Sequence, residues 1–289
     1  MSNTDAESSS NNNNSGEEIL RKQLKPDPTA DQVIDAVRTY FYDGKEDVEI
    51  KLKKELDSYD DRNFWITVDG INYLAKVHNG VESRDLIQYL QKDKESSGYQ
   101  KSAIHLQNAI MTHLNDCGIS TNKPQEPTTL NTSSTPVVVV SLPVHSKDDS
   151  PTPLVLRLLG WVNGRPMSDF HMLPIESLAD AGQFLGNLSV ALSSLPDVDQ
   201  LDAAKRYHQW DGKNTADLRD FVKYVTDDRR RLIVESVIDA FQKDLIDSKV
   251  AEQSFQKSLI HADFNDANFM LGDDFSVSGV IDFGDSVER

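Results

Sequence analysis

The sequence is short of cysteine, of basic charge and of long apolar runs, and each shortage excludes a class of protein. A single cysteine, Cys117, excludes an intrachain disulfide framework and is typical of a reducing compartment, so the cytoplasm is the expected location. No apolar run reaches the length that spans a bilayer. The 30 Lys and Arg residues stand against 47 Asp and Glu residues, which gives a formal net charge of -17. Because such a charge repels phosphate backbones and anionic lipid headgroups, no nucleic acid and no membrane are expected as partners.

The amino-terminal residues are poor in apolar side chains and rich in Ser, Asn, Asp and Glu. They have neither the apolar core of a signal peptide nor the Arg-rich character of a transit peptide. Because this composition offers little surface to bury against the entropy of ordering, we predict a disordered tail over residues 1–29. The rest of the chain is long enough for one large domain or two lobes.

The region that follows the tail alternates apolar and polar residues, as strands do. The Asp69-Gly70 pair predicts a tight hairpin turn. Apolar residues recur at helical intervals from 86 to 115, which predicts one interrupted helix or two helices in series. Five strands are predicted around these features, at 48–52, 63–68, 72–77, 137–140 and 153–159. The pattern therefore predicts an amino-terminal lobe over 30–159, with a small antiparallel sheet and a helical insertion after the third strand.

After Gly164 the periodicity changes to that of helices. One stripe of apolar residues predicts a long helix: Leu178, Ala181, Leu185, Leu188 and Leu192. Similar patterns cover 218–224 and 232–245. Residues 160–289 are therefore expected to form a mainly helical carboxyl-terminal lobe, and the chain as a whole to have an α+β fold with two lobes.

Polar residues with a distinctive spacing lie near the end of the chain. His261, Asp263 and Asn268 form the pattern H-x-D-x-x-x-x-N, and Asp282-Phe283-Gly284 follows after a predicted short hairpin that returns Asp282 close to Asn268. Amide and carboxylate oxygens suit Mg²⁺, so Asn268 and Asp282 are the predicted metal ligands. Asp263 is the predicted catalytic residue, which would orient an attacking hydroxyl group, and His261 would brace the loop. The alternative is that these residues only decorate a solvated turn.

Lys76 is the basic residue of the otherwise apolar third predicted strand, and it could reach the phosphates of a nucleotide. A lone lysine on a strand more commonly faces solvent. No glycine-rich loop precedes Lys76, so Ser58 and backbone N–H groups of the connection before the second strand are the predicted phosphate cover. Asp60 and Asp61 in that connection are expected to oppose a phosphate unless Arg62 or a metal ion offsets their charge.

The order of these motifs resembles the aminoglycoside phosphotransferase and choline kinase superfamily, from about residue 30 to the last residue. Segments 58–64, 106–108, 156–166 and 278–285 look like the hydroxylysine kinase branch of that superfamily. The resemblance implies a two-lobed protein-kinase-like fold and transfer of the γ-phosphoryl group of GTP or ATP to the hydroxyl of 5-hydroxylysine. It also implies a hinge at 159–163 that holds the base through its backbone.

Three alternatives remain open at this stage. The first is another kinase of the same superfamily, acting on homoserine, choline or an aminoglycoside. The second is a catalytically silent nucleotide-binding protein. The third is a protein kinase, against which count the missing glycine-rich loop and the lack of an activation segment after Asp285.

Two departures from the superfamily pattern affect the expectations. His105 stands where the superfamily has a helix glutamate that pairs with the strand lysine, so Glu82 or Glu95 would have to take over that contact. The superfamily also continues with helices that complete the acceptor pocket, whereas this chain stops at Arg289. The carboxyl-terminal lobe is therefore expected to lack those helices.

Overall fold

The computed structural model describes residues 18–91, 102–128, 136–146, 150–198, 201–208 and 211–289. Within them, the amino-terminal lobe combines strands and helices. Its elements are α1 (Ala30–Phe41), β1 (Ile50–Leu56), β2 (Arg62–Val68), β3 (Ile71–Val77), α2 (Gly80–Gln91), α3 (Ala103–Asp116), β4 (Val138–Leu142) and β5 (Thr152–Gly160).

The strands of this lobe form one five-stranded sheet in the order β1-β2-β3-β5-β4, and every neighbouring pair is antiparallel. The predicted sheet and its helical insertion after the third strand are confirmed. Asp69 (φ 46) and Gly70 (φ 82) form the turn between β2 and β3. A two-residue hairpin turn with positive φ at both positions matches the twist of the strands, which is why an Asp-Gly pair predicts it.

One face of the sheet is covered by α1. This helix begins with a capping box, in which Thr29 and Gln32 satisfy each other's backbone N–H groups. Its buried residues Val33, Val37 and Phe41 pack against alternate residues of the strands, including Phe64, Ile66, Ala75, Val77, Leu156 and Leu158. Because side chains alternate across a strand, the residues between them point to the opposite face. Lys76 and Arg157 are therefore on the face away from α1, where they are directly paired in the register of β3 and β5.

The tail predicted over 1–29 is wrong for its second part. Residues 18–23 are helical, and Leu24 is only 7% exposed. Arg21 forms ion pairs with Asp60 and Glu82, and Pro26 bridges Val144. A few apolar and paired side chains thus supply enough burial to order 18–29. The prediction rested on an average composition dominated by the Ser- and Asn-rich residues 1–17, which lie outside the described ranges.

The carboxyl-terminal lobe contains helices and short strands. The helices are α4 (Ile175–Ser193), α5 (Asp228–Phe241) and α6 (Val250–Ser254), with 3₁₀ segments Met167–Asp169, Asp202–Lys205 and Gly212–Tyr224 and a π segment Gln242–Asp247. The strands are β6 (Arg165–Pro166), β7 (Leu259–Ile260), β8 (Phe269–Leu271), β9 (Val277–Val280) and β10 (Val287–Glu288). β6, β8 and β9 form one sheet, and β7 pairs with β10.

The apolar stripe of α4 is buried less than its spacing predicts. Leu188 and Leu192 are buried in a second core, which they share with the α3 residues Ile110, Met111 and Leu114. Leu178 and Leu185, in contrast, are 52% and 40% exposed. Several other apolar side chains of this lobe are exposed too, among them Met172, Phe221, Tyr224 and Leu232. No helix in the described ranges has the length and apolar character needed to cross a membrane.

The segment 119–125, which follows α3, contacts both lobes. The N–H of Val280 in β9 donates to the carbonyl of Ser120 (3.1 Å). The N–H of Gly160 donates to the carbonyl of Lys123 (2.8 Å), and the N–H of Gln125 donates to the carbonyl of Leu158 (2.8 Å). The segment therefore connects the end of β5 to the β8–β9 hairpin.

Candidate active site

The loop between β7 and β8 holds Asp263 by a set of internal hydrogen bonds. Nδ2 of Asn268 donates to Oδ2 of Asp263 (2.8 Å) and to its carbonyl oxygen (3.0 Å). Nδ2 of Asn265 donates to Oδ1 of Asp263 (2.8 Å). Ala262, just before Asp263, has φ 68, a conformation that non-glycine residues rarely adopt and that clusters at functional sites. The half-buried Asp263 carboxylate is thus fixed in orientation by two amides.

The β8–β9 hairpin brings Asp282 back to this loop. Phe269 pairs with Val280, and the N–H of Ile281 donates to the carbonyl of Asn268 (2.9 Å). This backbone hydrogen bond joins Asn268 to the residue before Asp282. Asn268 and Asp282 therefore lie close together along the chain path, as the sequence predicted from the short hairpin. Asp282 has φ 61 and accepts a hydrogen bond from the N–H of Gly284 (3.2 Å).

The oxygen atoms of Asn268 and Asp282 fit a hard divalent cation. Because Nδ2 of Asn268 is used by Asp263, the amide oxygen is the atom left for a ligand. Asp282 is exposed and adds a carboxylate. In the described part of the chain, no group of three or more His, Cys, Asp or Glu residues could hold a metal ion. This set of donors still suits Mg²⁺, which takes one or two protein carboxylates and completes its shell with water and phosphate oxygens.

His261 is buried and hydrogen-bonds two segments of the site. Its Nε2 lies 2.9 Å from the carbonyl of Ile281, so it must donate, and Nδ1 then accepts the N–H of Asp263 (3.3 Å). Burial lowers the pKa of His261, while the bond to Ile281 opposes the shift. The ring packs on Phe283, with centroids 4.6 Å apart. These contacts agree with the predicted bracing role.

Two residues that the sequence did not single out support the segment after Asp282. The guanidinium of Arg206 donates to the carbonyls of Gly284 (2.8 Å) and Ser286 (2.6 Å). Nε2 of His208 lies 3.0 Å from Oδ1 of Asp285, and this hydrogen bond lowers the pKa of Asp285. Neither residue lies in a motif, so only the folded chain reveals these contacts.

Lys76 meets a different carboxylate from the one expected. Glu82, one of the proposed substitutes for the helix glutamate, pairs with Arg21 (2.6 Å), and Glu95 lies outside the described residues. Nζ of Lys76 instead lies 2.7 Å from Oδ2 of Asp61, in the connection between β1 and β2. Arg62, which was expected to offset the charge of this connection, pairs with Asp27 and Glu55, and Lys76 offsets the charge of Asp61 instead. Ser58 is half-buried in the same connection.

The hinge predicted at 159–163 has few free backbone groups. The N–H of Gly160 is bonded to Lys123, and its carbonyl accepts from Nδ2 of Asn122 (2.9 Å). The carbonyl of Asn163 accepts from Oγ of Ser278 (2.6 Å). Backbone recognition of a base in this hinge would therefore depend on the remaining groups, such as those of residues 161 and 162. The ring of Trp161 stacks on that of Trp65, with centroids 4.5 Å apart.

Sequence comparison matches the residues of this candidate site to a known family. A sequence model of the phosphotransferase enzyme family (APH) matches residues 54–287, which include the connection with Asp61 and the loop with Asp263. The chain belongs to this family. The hydroxylysine kinase of Mus musculus is 25% identical over 246 residues, 80% of this chain and 58% of that protein. The hydroxylysine kinase of Bos taurus is 27% identical over 248 residues, with the same coverage. The chain thus spans less than two thirds of the length of these relatives.

Solved structures of aminoglycoside phosphotransferases share the fold. A GDP complex of a variant aminoglycoside 2′-phosphotransferase IIIa superposes with a TM-score of 0.53 at 17% identity, covering 90% of this chain and 74% of that one. A spectinomycin phosphotransferase in complex with ADP and spectinomycin gives a TM-score of 0.51 at 12% identity, covering 90% and 70%. At these identities the likeness shows the fold alone, and it confirms the predicted α+β, protein-kinase-like architecture.

Proposed function

We propose that this chain transfers the γ-phosphoryl group of GTP or ATP to the hydroxyl group of a small amino acid or amine, and that 5-hydroxylysine is the acceptor. The observation that carries the proposal is the set of bonds around Asn268. Its side chain donates to Asp263, and its carbonyl accepts from Ile281, the residue before Asp282. The groups for proton acceptance and for metal binding thus belong to one rigid unit.

Asp263 is the proposed catalytic residue. Two amides leave its carboxylate oriented but still partly accessible, so it can accept a hydrogen bond from the acceptor hydroxyl and direct that oxygen at the phosphorus. In phosphoryl transfer most of the catalysis comes from such positioning and from neutralisation of charge. A carboxylate that is held before the substrate binds needs no reorganisation in the transition state.

Asn268 and Asp282 are the proposed metal ligands, and Lys76 and Ser58 the proposed contacts to the nucleotide phosphates. Bound there, Mg²⁺ would neutralise charge on the phosphate oxygens. Burial acts to lower the pKa of Lys76, but the attraction of Asp61 and then of Asp282 outweighs burial and raises it. The charge of Asp282 thus acts on Lys76, which supports a site between the lobes where both residues face the same triphosphate.

The donor and the acceptor rest on the relatives. Solved relatives contain GDP in one case and ADP in another, so both GTP and ATP are retained. Two relatives named hydroxylysine kinase favour 5-hydroxylysine, whose amino groups also suit an acidic protein. For the location of the reaction we propose the cytoplasm, on the ground of the single cysteine.

The proposal is tested by nucleotide consumption with purified protein, Mg²⁺ and either GTP or ATP. The acceptors are 5-hydroxylysine, homoserine, choline and an aminoglycoside, with lysine as a matched control that lacks only the hydroxyl group. We expect phosphorylated 5-hydroxylysine by mass spectrometry and no product from lysine. Product from another acceptor alone would replace 5-hydroxylysine. Nucleotide binding without transfer to any acceptor would favour the silent alternative.

A further inference from the structure

The face of the sheet away from α1 holds a group of buried charges, of which the proposed reaction uses only that of Lys76. Lys76 of β3 stands directly opposite Arg157 of β5. Like charges in directly opposed positions of a sheet repel each other. The side chain of Lys76 is nevertheless only 17% exposed, and Arg157 is only 1% exposed. Two buried cations in this arrangement require a nearby anion.

Asp61 supplies that anion from the connection before β2. Oδ2 of Asp61 contacts Nζ of Lys76, and Oδ1 accepts the N–H of Asn79 (2.7 Å). The Asp61 side chain is 14% exposed. Burial alone would raise the pKa of Asp61, but the attraction of Lys76 and these hydrogen bonds together outweigh burial, and the pKa lies well below its ordinary value. The carboxylate is therefore ionised at neutral pH and fixed at both oxygens.

Arg157 reaches Asp61 through His78. Its Nε donates to Nε2 of His78 (2.8 Å), so the proton of the neutral ring is on Nδ1, which lies 3.7 Å from Oδ2 of Asp61. The other guanidinium nitrogens donate to Asn108 (2.7 Å) and Gln107 (2.6 Å) of α3. Burial lowers the pKa of Arg157 to about 10, which leaves it charged at neutral pH. A continuous path of polar contacts thus runs from α3 to Asp61.

We propose that Asp61 is the positioning residue for Lys76, and that it directs the lysine ammonium group toward the phosphates of the bound nucleotide; this inference rests on the proposed phosphotransferase function. The carboxylate comes from the connection between two strands, and the N–H of Asn79 fixes its orientation by holding the oxygen that does not contact Lys76. The ammonium group positioned in this way stabilises the negative charge of a triphosphate in the cleft.

A double-mutant cycle tests the proposal. The variants are Asp61→Asn, Lys76→Met and the two combined, and the readout is kcat/KM for the nucleotide with Mg²⁺ and 5-hydroxylysine. We expect Asp61→Asn to lower kcat/KM by about 10- to 100-fold, the usual cost of losing a group that orients a functional side chain. If Asp61 acts through Lys76, the combined variant should be no slower than Lys76→Met alone. Asp61→Glu, which keeps the charge, should recover part of the loss.

Asp60→Asn is the matched control. It removes the same charge from the neighbouring residue, which pairs with Arg21 and not with Lys76. Because a partly exposed ion pair contributes little, we expect kcat/KM within about twofold of the wild type. A loss equal to that of Asp61→Asn would mean that the net charge of the connection matters and not the contact with Lys76, and it would overturn the proposal.

Two other results would also overturn the role of Asp61. One is an unchanged kcat/KM in a folded Asp61→Asn variant, and the other is an additional loss when Asp61→Asn is combined with Lys76→Met. If thermal unfolding shows that Asp61→Asn alone does not fold, the kcat/KM of the combined variant is compared with that of Lys76→Met, since both lack the lysine charge. A lower value in the combined variant then overturns the proposal. A wild-type protein that binds fluorescent GTP and ATP but transfers no phosphate contradicts the proposed function, and the same cycle is then measured on the dissociation constants.

Discussion

The two faces of the five-stranded sheet are made by alternate residues of the same strands, yet the face under α1 is an apolar core, whereas the other face combines apolar residues such as Val155 and Leu159 with the charges of Lys76 and Arg157. On β5, Leu156 is fully buried in the apolar core under α1, whereas its neighbour Arg157 is buried among polar partners. The apolar face needs only matching shapes, so its contribution is to stability. Lys76 and Arg157 on the other face need a partner for each charge and donor, which costs desolvation and fixes geometry. The difference indicates that the face under α1 contributes to stability, whereas the charged part of the other face also arranges a site.

The largest effect is expected from Asp263→Asn. Because this change keeps the shape of the side chain but removes the carboxylate that would receive the hydroxyl proton, turnover should fall by about 10²- to 10⁴-fold. The melting temperature and the affinity for nucleotide should stay near those of the wild type, because the change lies outside both faces of the sheet. Steady-state kinetics, thermal unfolding and nucleotide titration measure these values. Turnover within a few-fold of the wild type would remove Asp263 from its catalytic role.

Leu156→Ala should affect stability most among the residues of the sheet. Truncation of a fully buried leucine typically costs about 2–5 kcal/mol of unfolding free energy, because it leaves a cavity. The kcat/KM of the folded fraction should change little, since Leu156 faces α1. Denaturant unfolding and kinetics on the same sample separate the two effects. A specific loss of kcat/KM with unchanged stability would contradict the division of labour between the faces.

A smaller effect is expected from pH, through His78. Burial and then Arg157 hold the pKa of His78 well below its ordinary value of 6.5, despite the opposing attraction of Asp61. The unfolded chain therefore binds a proton that the folded chain does not, so stability should decrease as the pH falls below about 6.5. Replacing His78 with Asn should reduce this dependence.

Thermal unfolding between about pH 7.5 and 5.5 provides the measurement, on either side of the ordinary pKa of histidine, and replacement of the exposed His171 with Asn is the control. His78 faces Asp61, Arg157 and, more weakly, Lys76, and Asp61 remains ionised throughout this range because its pKa is lowered. An equal slope in the wild type and in the His78→Asn variant would show that another group accounts for the dependence.

The smallest effect is expected from Ser58→Ala. One hydroxyl group contributes about 0.5–1.5 kcal/mol, and backbone N–H groups of the same connection would remain to bind phosphate. We expect a rise of a few-fold in KM for the nucleotide, with kcat unchanged. A larger effect on kcat would place Ser58 nearer the transferred phosphoryl group than proposed, and no effect would exclude it from the phosphate contacts.

Local patterns in the sequence were sufficient to predict the sheet and the spacing of the candidate site. The Asp69-Gly70 turn and the alternation around it depend on neighbouring residues, so they could be predicted without knowledge of the fold. The short hairpin between Asn268 and Asp282 is equally local, and the structure joins them through Ile281. The roles assigned to Asp263, Asn268, Asp282, Lys76 and Ser58 stay predictions.

The partner of Lys76 could not be predicted in this way. Asp61 meets Lys76 because β2 and β3 pair in one particular register, with Arg62 opposite Val77. The resemblance to the superfamily placed the partner of Lys76 on the helix that contains His105, whereas the partner comes from the connection between β1 and β2. Neither His78 nor Arg206 lies in a recognisable motif, and each meets a partner far along the chain, so the sequence did not single them out. Helix periodicity failed for Leu178 and Leu185, because period alone does not say whether a partner covers the stripe.

The segment 119–125 has a consequence for movement between the lobes. Its backbone is bonded to Leu158 and Gly160 on one side and to Val280 on the other. Gly279, next to Val280, has no room for a larger residue, since a Cβ atom there would lie 2.5 Å from the carbonyl of Ser120. We therefore expect the proposed nucleotide cleft to widen by rotation about this segment, so that Lys76 and Asp282 move apart while the strand ends beside the segment keep their spacing.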